Sequence, residues 1–240
     1  NVAAFIAEPV QGAGGVIIPP STYWPTVERI CREREVLLIS DEVICGFGRT
    51  GHWFGCESFG YRPDLISFAK AVTNGYQPLG GVGLSDLVAD VLTSADGEFA
   101  HGFTYSGHPV ACAAALATLD ILQFEQVIER TATTSTRLRT RLQSLQDHPL
   151  VGEVRTHGML AAIELVRNKS TRERLETNGI AAEVARDHAI ANGLMVRAVA
   201  DSLVTAPPLI IADDEMDLLV SRLRRALDLT ASHYGISTRS

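Results

Sequence analysis

Short apolar runs without alternation recur along the first half of the chain, at Val2 to Ile6, Val36 to Ile39 and Leu65 to Ala69. Such runs predict strands buried on both faces, as in a parallel sheet. A helix is expected from about Thr22 to Arg34, with Pro25 tolerated in its first turn and Val27, Ile30 and Cys31 facing inward. It makes a strand–helix–strand unit of the length a right-handed crossover needs. Leu79 to Leu84 returns as a further strand, and Ser85 stands where a helix cap belongs, with Asp86 in the first turn. Two helices follow: an alanine-rich one from roughly Pro109 to Leu122, and a charged one from Gln126 to Gln146. The second has Val127, Leu138, Leu142 and Leu145 inward and its arginines on a solvated face.

The turn Asp147-His148-Pro149 marks a domain boundary. Beyond it the pattern predicts a strand at Gly158 to Leu165. A helix from Gly179 to Ala191 presents Ile180, Val184 and His188 on one face and is stopped by Asn192-Gly193. Short strands are expected at Leu194 to Val196 and Ser202 to Val204. A last helix runs from about Asp214, with Met216, Leu219, Val220, Leu223, Ala226 and Leu227 inward. The organisation expected is an α/β domain over 1–148, a mainly parallel sheet flanked by helices, then a small α+β domain over 149–240.

At 240 residues and 46% hydrophobic the chain can bury a sizeable core. Its net charge of -7 carries no basic block, which argues against nucleic acid as a partner. No apolar run approaches the roughly 20 residues of a membrane helix. Cys31, Cys45, Cys56 and Cys112 lack CxxC spacing, which favours reduced thiols and a cytoplasmic location over a disulfide or metal framework. The Gln11 to Gly15 turn is no dinucleotide fingerprint, because Ile17 stands where the third glycine belongs. No GxSxG, HExxH or P-loop is present.

Candidate chemistry gathers between Val36 and Lys70. The apolar run ends on Asp41-Glu42-Val43, followed by the glycine-rich Cys45-Gly46-Phe47-Gly48-Arg49-Thr50-Gly51. Ligands of parallel sheets sit beyond the carboxyl ends of the strands, which is where Asp41 lies. The next strand ends on Lys70. An ammonium at the end of a buried strand is costly unless paired, and a lysine freed of its proton is a nucleophile for an aldehyde. A carboxylate at one strand end and an amine at another suit aldehyde chemistry with a cationic ring. Hydroxyls and amides in Gly102 to Pro109, ahead of a helix, suit a phosphate. His108 abuts Pro109 without an acid partner and reads as structural. Trp53-Phe54 packs a loop or lines a pocket. Arg197 offers a planar fork at a strand end.

Several of these segments resemble the class III aminotransferases, pyridoxal phosphate (PLP) enzymes of fold type I. They are Ile39 to Gly51, Pro63 to Lys70, Ala7-Glu8-Pro9-Val10-Gln11-Gly12 and Phe103-Thr104-Tyr105-Ser106-Gly107-His108-Pro109. The resemblance implies that Lys70 holds PLP covalently and shuttles the proton. It implies that Asp41 pairs with the ring nitrogen, Val43 packs on the ring, and Thr104 reaches the phosphate of a partner subunit in a homodimer. Arg197 then binds a substrate carboxylate, Trp53 contacts substrate, and Glu8 is a secondary candidate near the cofactor. The activity implied is ping-pong transamination of an ω-amino acid or primary amine with an α-keto acid, pyruvate foremost. An aminomutase, a decarboxylating relative or a non-catalytic dimerisation module are the alternatives.

Two departures steer away from γ-aminobutyrate: Ile44 stands where such enzymes often carry glutamine, and Val204 where a second substrate arginine would fall. The resemblance covers the carboxyl-terminal half or so of a member. The chain is therefore expected to be part of a longer protein, with the main phosphate turn and a ring-stacking aromatic lying upstream of Asn1.

Overall fold

The computed structural model describes residues 2–94, 99–176 and 179–238, so Asn1 lies outside the described residues. The chain divides into two compact units, Asn1–Val10 with Pro19–Arg130, and Gln11–Ile18 with Thr131–Ser240.

The first unit holds the strands β1 (Ala4–Ala7), β2 (Leu37–Asp41), β3 (Leu65–Phe68) and β4 (Gly81–Leu84), in that spatial order. The β1–β2 and β2–β3 pairs are parallel and β4 is antiparallel to β3. The helices are α1 (Tyr23–Glu33), the short α2 (Gly55–Phe59), α3 (Asp86–Ser94) and α4 (Pro109–Phe124). α1 covers one face, where Trp24 and Cys31 pack with Leu38, Cys56 and Tyr61.

That one-sided cover corrects the expectation of strands buried on both faces. In β2 only Leu38 and Ser40 are buried, while Leu37, Ile39 and Asp41 are half-buried. β1 lies at the sheet edge: Phe5 and Ala7 pack inward and Ile6 is 58% exposed. On α1, Cys31 is buried as expected, Val27 is half-buried and Ile30 is exposed; the deepest position belongs to Trp24 instead. Ser85 does precede α3, but its buried hydroxyl bonds nothing among the described residues, and its carbonyl takes the Val88 and Ala89 amides.

The second unit is built on β5 (Val151–His157), β6 (Leu160–Leu165), β8 (Ser202–Thr205) and β7 (Arg197–Val199), an antiparallel sheet in that order. α6 (Ile180–Ala191) and α7 (Asp213–His233) pack with it. α5 (Val127–Gln143) crosses the division between the units, upstream of the Asp147-His148-Pro149 turn. The reason is visible in its residues: Leu138 and Leu142, with Leu145 just beyond, all enter the second unit's core. Its arginines are not simply solvated, since Arg137 and Arg141 pair with Asp213 and Asp217 at the start of α7.

β5 escapes sequence reading because its residues are largely polar. It is held by register against β6 and by Gln146, whose amide group accepts from the Val154 amide and donates to the Gly152 carbonyl. α6 turns its alanines inward, Ala181, Ala182, Ala185 and Ala189, rather than Ile180, Val184 and His188. Small side chains let the helix approach α7 closely. Leu194 to Val196 is not a strand; the Leu194 amide still bonds to the Ala189 carbonyl, and pairing begins at Arg197. The inward stripe of α7 is the expected one, with Val220 half-buried. Among the described residues no single helix is long and apolar enough to cross a membrane.

Candidate active site

Register decides what meets at the strand ends. Ala7 is level with Ser40, and Asp41 with Ser67. The Glu42 amide extends the ladder by donating to the Ser67 carbonyl at 2.8 Å. The carboxyl ends of three neighbouring parallel strands thus share one edge, carrying Glu8, Asp41 and, just past β3, Lys70. Open α/β sheets take their ligands at this edge.

Asp41 is half-buried, and its Oδ1 accepts the Val43 amide at 3.1 Å. That local turn ends the strand and leaves acceptor capacity on the carboxylate for another partner. Val43 is likewise half-buried. Lys70 has a left-handed backbone, φ +46°, and opens a one-turn 3-10 helix, Lys70–Val72. Such a backbone costs a side-chain-bearing residue on the order of 1 kcal/mol or more, so strain is concentrated at the residue carrying the amine. Lys70, at the end of a strand expected to be buried, is instead exposed, at the rim of an open cleft of about 720 Å³ that Thr73, Gln77 and Pro78 also line.

Between Asp41 and α2 the chain folds back on itself. The Phe47 amide donates to the Trp53 carbonyl at 2.6 Å and the Gly48 amide to the His52 carbonyl at 3.0 Å. Phe47, Gly48 and Gly51 have positive φ, which the two glycines adopt at no steric cost. Phe47 is buried edge-on to Phe54 and Phe68. Trp53 stands half-exposed at the returning end. Thr104 lies on an exposed turn ahead of α4, closed by the Phe103 amide donating to Ser106 Oγ. Among the described residues no side chain caps α4. Arg197 belongs to the second unit, where it opens β7 level with Val204, exposed and without an acidic partner among the described residues.

Sequence reasoning missed a buried polar cluster directly behind Asp41. Glu42 is fully buried. Its Oε2 accepts the Gly55 amide at 2.7 Å, and its Oε1 accepts the Cys56 amide at 2.8 Å and Ser40 Oγ at 3.0 Å. Ser40 Oγ also meets the Tyr61 hydroxyl at 2.6 Å. Burial pushes the Glu42 carboxyl above the usual range, and the two amides and Ser40 offset part of the shift. Burial also pushes the Cys45 and Cys56 thiols up to about 12, with Glu42 adding to both. Thiols so shifted are poor nucleophiles. The signal was available: Leu38, Ser40 and Glu42 share one phase of the strand, and an acid on the buried phase demands partners.

An amine, a carboxylate and an apolar side chain gathered at one strand edge form the donor set that a cationic, aldehyde-bearing ring requires. Comparison with known proteins defines the class. The family model for aminotransferase class III matches residues 1–227, and the chain belongs to this family, whose members are PLP-dependent. It is 54% identical over 233 residues to a putrescine–pyruvate aminotransferase of Pseudomonas aeruginosa, a match covering 97% of this chain and 51% of that protein. It is 44% identical to a chloroplastic gamma aminobutyrate transaminase of Solanum lycopersicum, covering 95% of this chain and 44% of that protein.

Among solved structures, an (S)-enantioselective omega-transaminase of Thermomicrobium roseum superposes with a TM-score of 0.90 at 48% identity, over 95% of this chain and 51% of that one. The omega transaminase of Pseudomonas jessenii in complex with PMP does so with a TM-score of 0.92 at 43% identity, over 97% of this chain and 52% of that one. The chain spans about half the length of these relatives.

Proposed function

We propose that the chain carries the amine-anchoring and ring-binding part of a PLP-dependent transaminase site. The reaction moves an amino group from an ω-amino acid or primary amine to an α-keto acid, with pyruvate as the acceptor. The observation that carries this reading is the shared strand edge of Asp41 and Lys70. When bound, PLP supplies the electron sink that lets the amino-bearing carbon release its proton. Lys70 would hold the cofactor covalently and, when freed, its amine would accept and return that proton. Asp41 would pair with the ring nitrogen, and Val43 would pack against the ring. Thr104 would contact the phosphate of the cofactor held by a partner subunit in a homodimer, and Trp53 would contact the substrate. Arg197 takes the carboxylate of the keto acid through its two-pronged guanidinium. The putrescine–pyruvate relative supports the choice of amine and acceptor. Ile44 and Val204 support the preference over γ-aminobutyrate.

Borohydride reduction in the presence of PLP, followed by peptide mass mapping, tests the anchor: a reduced pyridoxyl group on Lys70 is expected. Its absence there, or initial rates of a sequential rather than ping-pong pattern, overturns the reading. Turnover of an amine without any added keto acid would point instead to a mutase.

A further inference from the structure

We propose that Glu42 is a positioning residue for the transaminase site: its buried carboxylate pins the loop that leaves Asp41 and, through Ser40, the cluster beside the end of β1, while its backbone amide joins the end of β3. The inference rests on the cofactor reading above and adds to it a residue whose side chain faces away from the site.

The geometry is that of a hub. Through its side chain Glu42 receives the amides of Gly55 and Cys56, thirteen and fourteen residues away, and so closes the whole excursion that leaves Asp41 and returns at α2. Through its own carbonyl it accepts the Gly46 amide at 2.9 Å, fixing the first turn of that excursion. Its amide donates to Ser67, three residues before Lys70, and joins the end of β2 to the end of β3. Through Ser40 it reaches Tyr61, whose ring stacks on Trp24 with centroids 4.0 Å apart. Trp24 Nε1 donates to the Pro9 carbonyl at 3.2 Å, beside Glu8 at the end of β1.

Packing makes this hub intolerant of slack. A Cβ on Gly55 would stand 2.8 Å from the Cβ atoms of both Cys45 and Pro9, so the amide that Glu42 holds is wedged between the loop and the end of β1. Asp41, the last residue of β2, and Val43, in the turn that follows, flank Glu42 in sequence and are both half-buried. Fixing Glu42 therefore fixes where both of their side chains start. Catalytic groups tolerate little misplacement, on the order of 0.5 Å.

A glutamine at this position keeps the shape but turns a donor towards one of the two amides, most directly that of Gly55. E42Q in the holoenzyme is therefore expected to weaken PLP binding at least about tenfold, as a dissociation constant. It is also expected to shift the pH at which the visible band of the bound cofactor changes, because Asp41 no longer sits squarely on the ring nitrogen. Ser40→Ala removes one of three bonds and should move both readouts the same way by less. Val27→Ala, on α1 away from the strand ends, serves as a matched destabilised control and should leave the band's pH profile unmoved.

A folded E42Q protein with wild-type affinity and pH profile overturns the proposal. Should E42Q fail to fold, a wild-type profile in S40A overturns it. A wild-type protein without pyridoxyl-Lys70 refutes the cofactor reading itself, whereas a labelled Lys70 with an unmoved E42Q profile refutes only the role of Glu42.

Discussion

The Asp64 carboxylate divides itself between Arg32 and the backbone of β2. Its Oδ1 accepts from Arg32 Nη1 at 2.6 Å, while Oδ2 accepts the Leu38 amide at 2.8 Å. Asp64 is 4% exposed and the Arg32 side chain 44%. The buried bond to the backbone is thus the consequential half, and the ion pair is largely water-screened. Asp64→Ala is expected to cost about 2–3 kcal/mol by stranding the Leu38 amide, and Arg32→Ala no more than about 1 kcal/mol. Urea denaturation of both variants checks the ordering; equal losses would refute it.

Gly55 sits at a close approach in the site's support. Gly55→Ala pushes a methyl to within 2.8 Å of Cys45 and Pro9. Overpacking of this kind costs about 1–3 kcal/mol. The denaturant midpoint should fall with an unchanged slope, and a neutral substitution would show that the loop yields.

His148 makes the second unit acid-sensitive. It is 3% exposed, and its Nδ1 accepts the Leu150 amide at 3.2 Å, which keeps that nitrogen unprotonated. Nε2 faces Asp228 Oδ1 at 3.4 Å, Asp147 and Arg224 are the other nearby charges, and Lys169 donates to the His148 carbonyl. Burial dominates and lowers the His148 pKa from its ordinary 6.5, against the pull of Asp228. The unfolded chain therefore binds a proton that the folded one refuses. This stability is fully present above the ordinary value and is lost as pH falls below it, levelling off at the lower folded value. Unfolding curves from pH 8 to 5 should show this slope in the wild type and a flatter one in His148→Asn. Parallel curves would exclude His148 as the cause.

Arg197 is predicted to act in binding rather than in chemistry. Arg197→Gln should raise the KM for an α-keto acid about 10- to 100-fold, the worth of a charge-assisted hydrogen bond, with kcat little changed. Steady-state rates with pyruvate, and separately with an uncharged amine donor, check this. A fall in kcat at unchanged KM would remove Arg197 from the carboxylate site.

Local periodicity alone determined a good deal: α1, α4 and α7, the apolar strands β2 and β3, and the inward leucines of α5. Asp41 and Lys70 were legible as strand-end residues because an abrupt change from apolar to charged marks where a strand leaves the core. The one-sided burial of β2, the alanine face of α6, the polar strand β5 and the start of β7 at Arg197 were not legible. Each depends on what packs or pairs against the element, and no residue within the element states that. The same holds for the Glu42 cluster, whose partners lie up to 21 positions along the chain. The sequence by itself determined that a carboxylate and an amine, Asp41 and Lys70, stand at strand ends. Only the tertiary structure decided which groups meet the buried Glu42 carboxylate, because a carboxylate without water must find its donors wherever the folded backbone brings them.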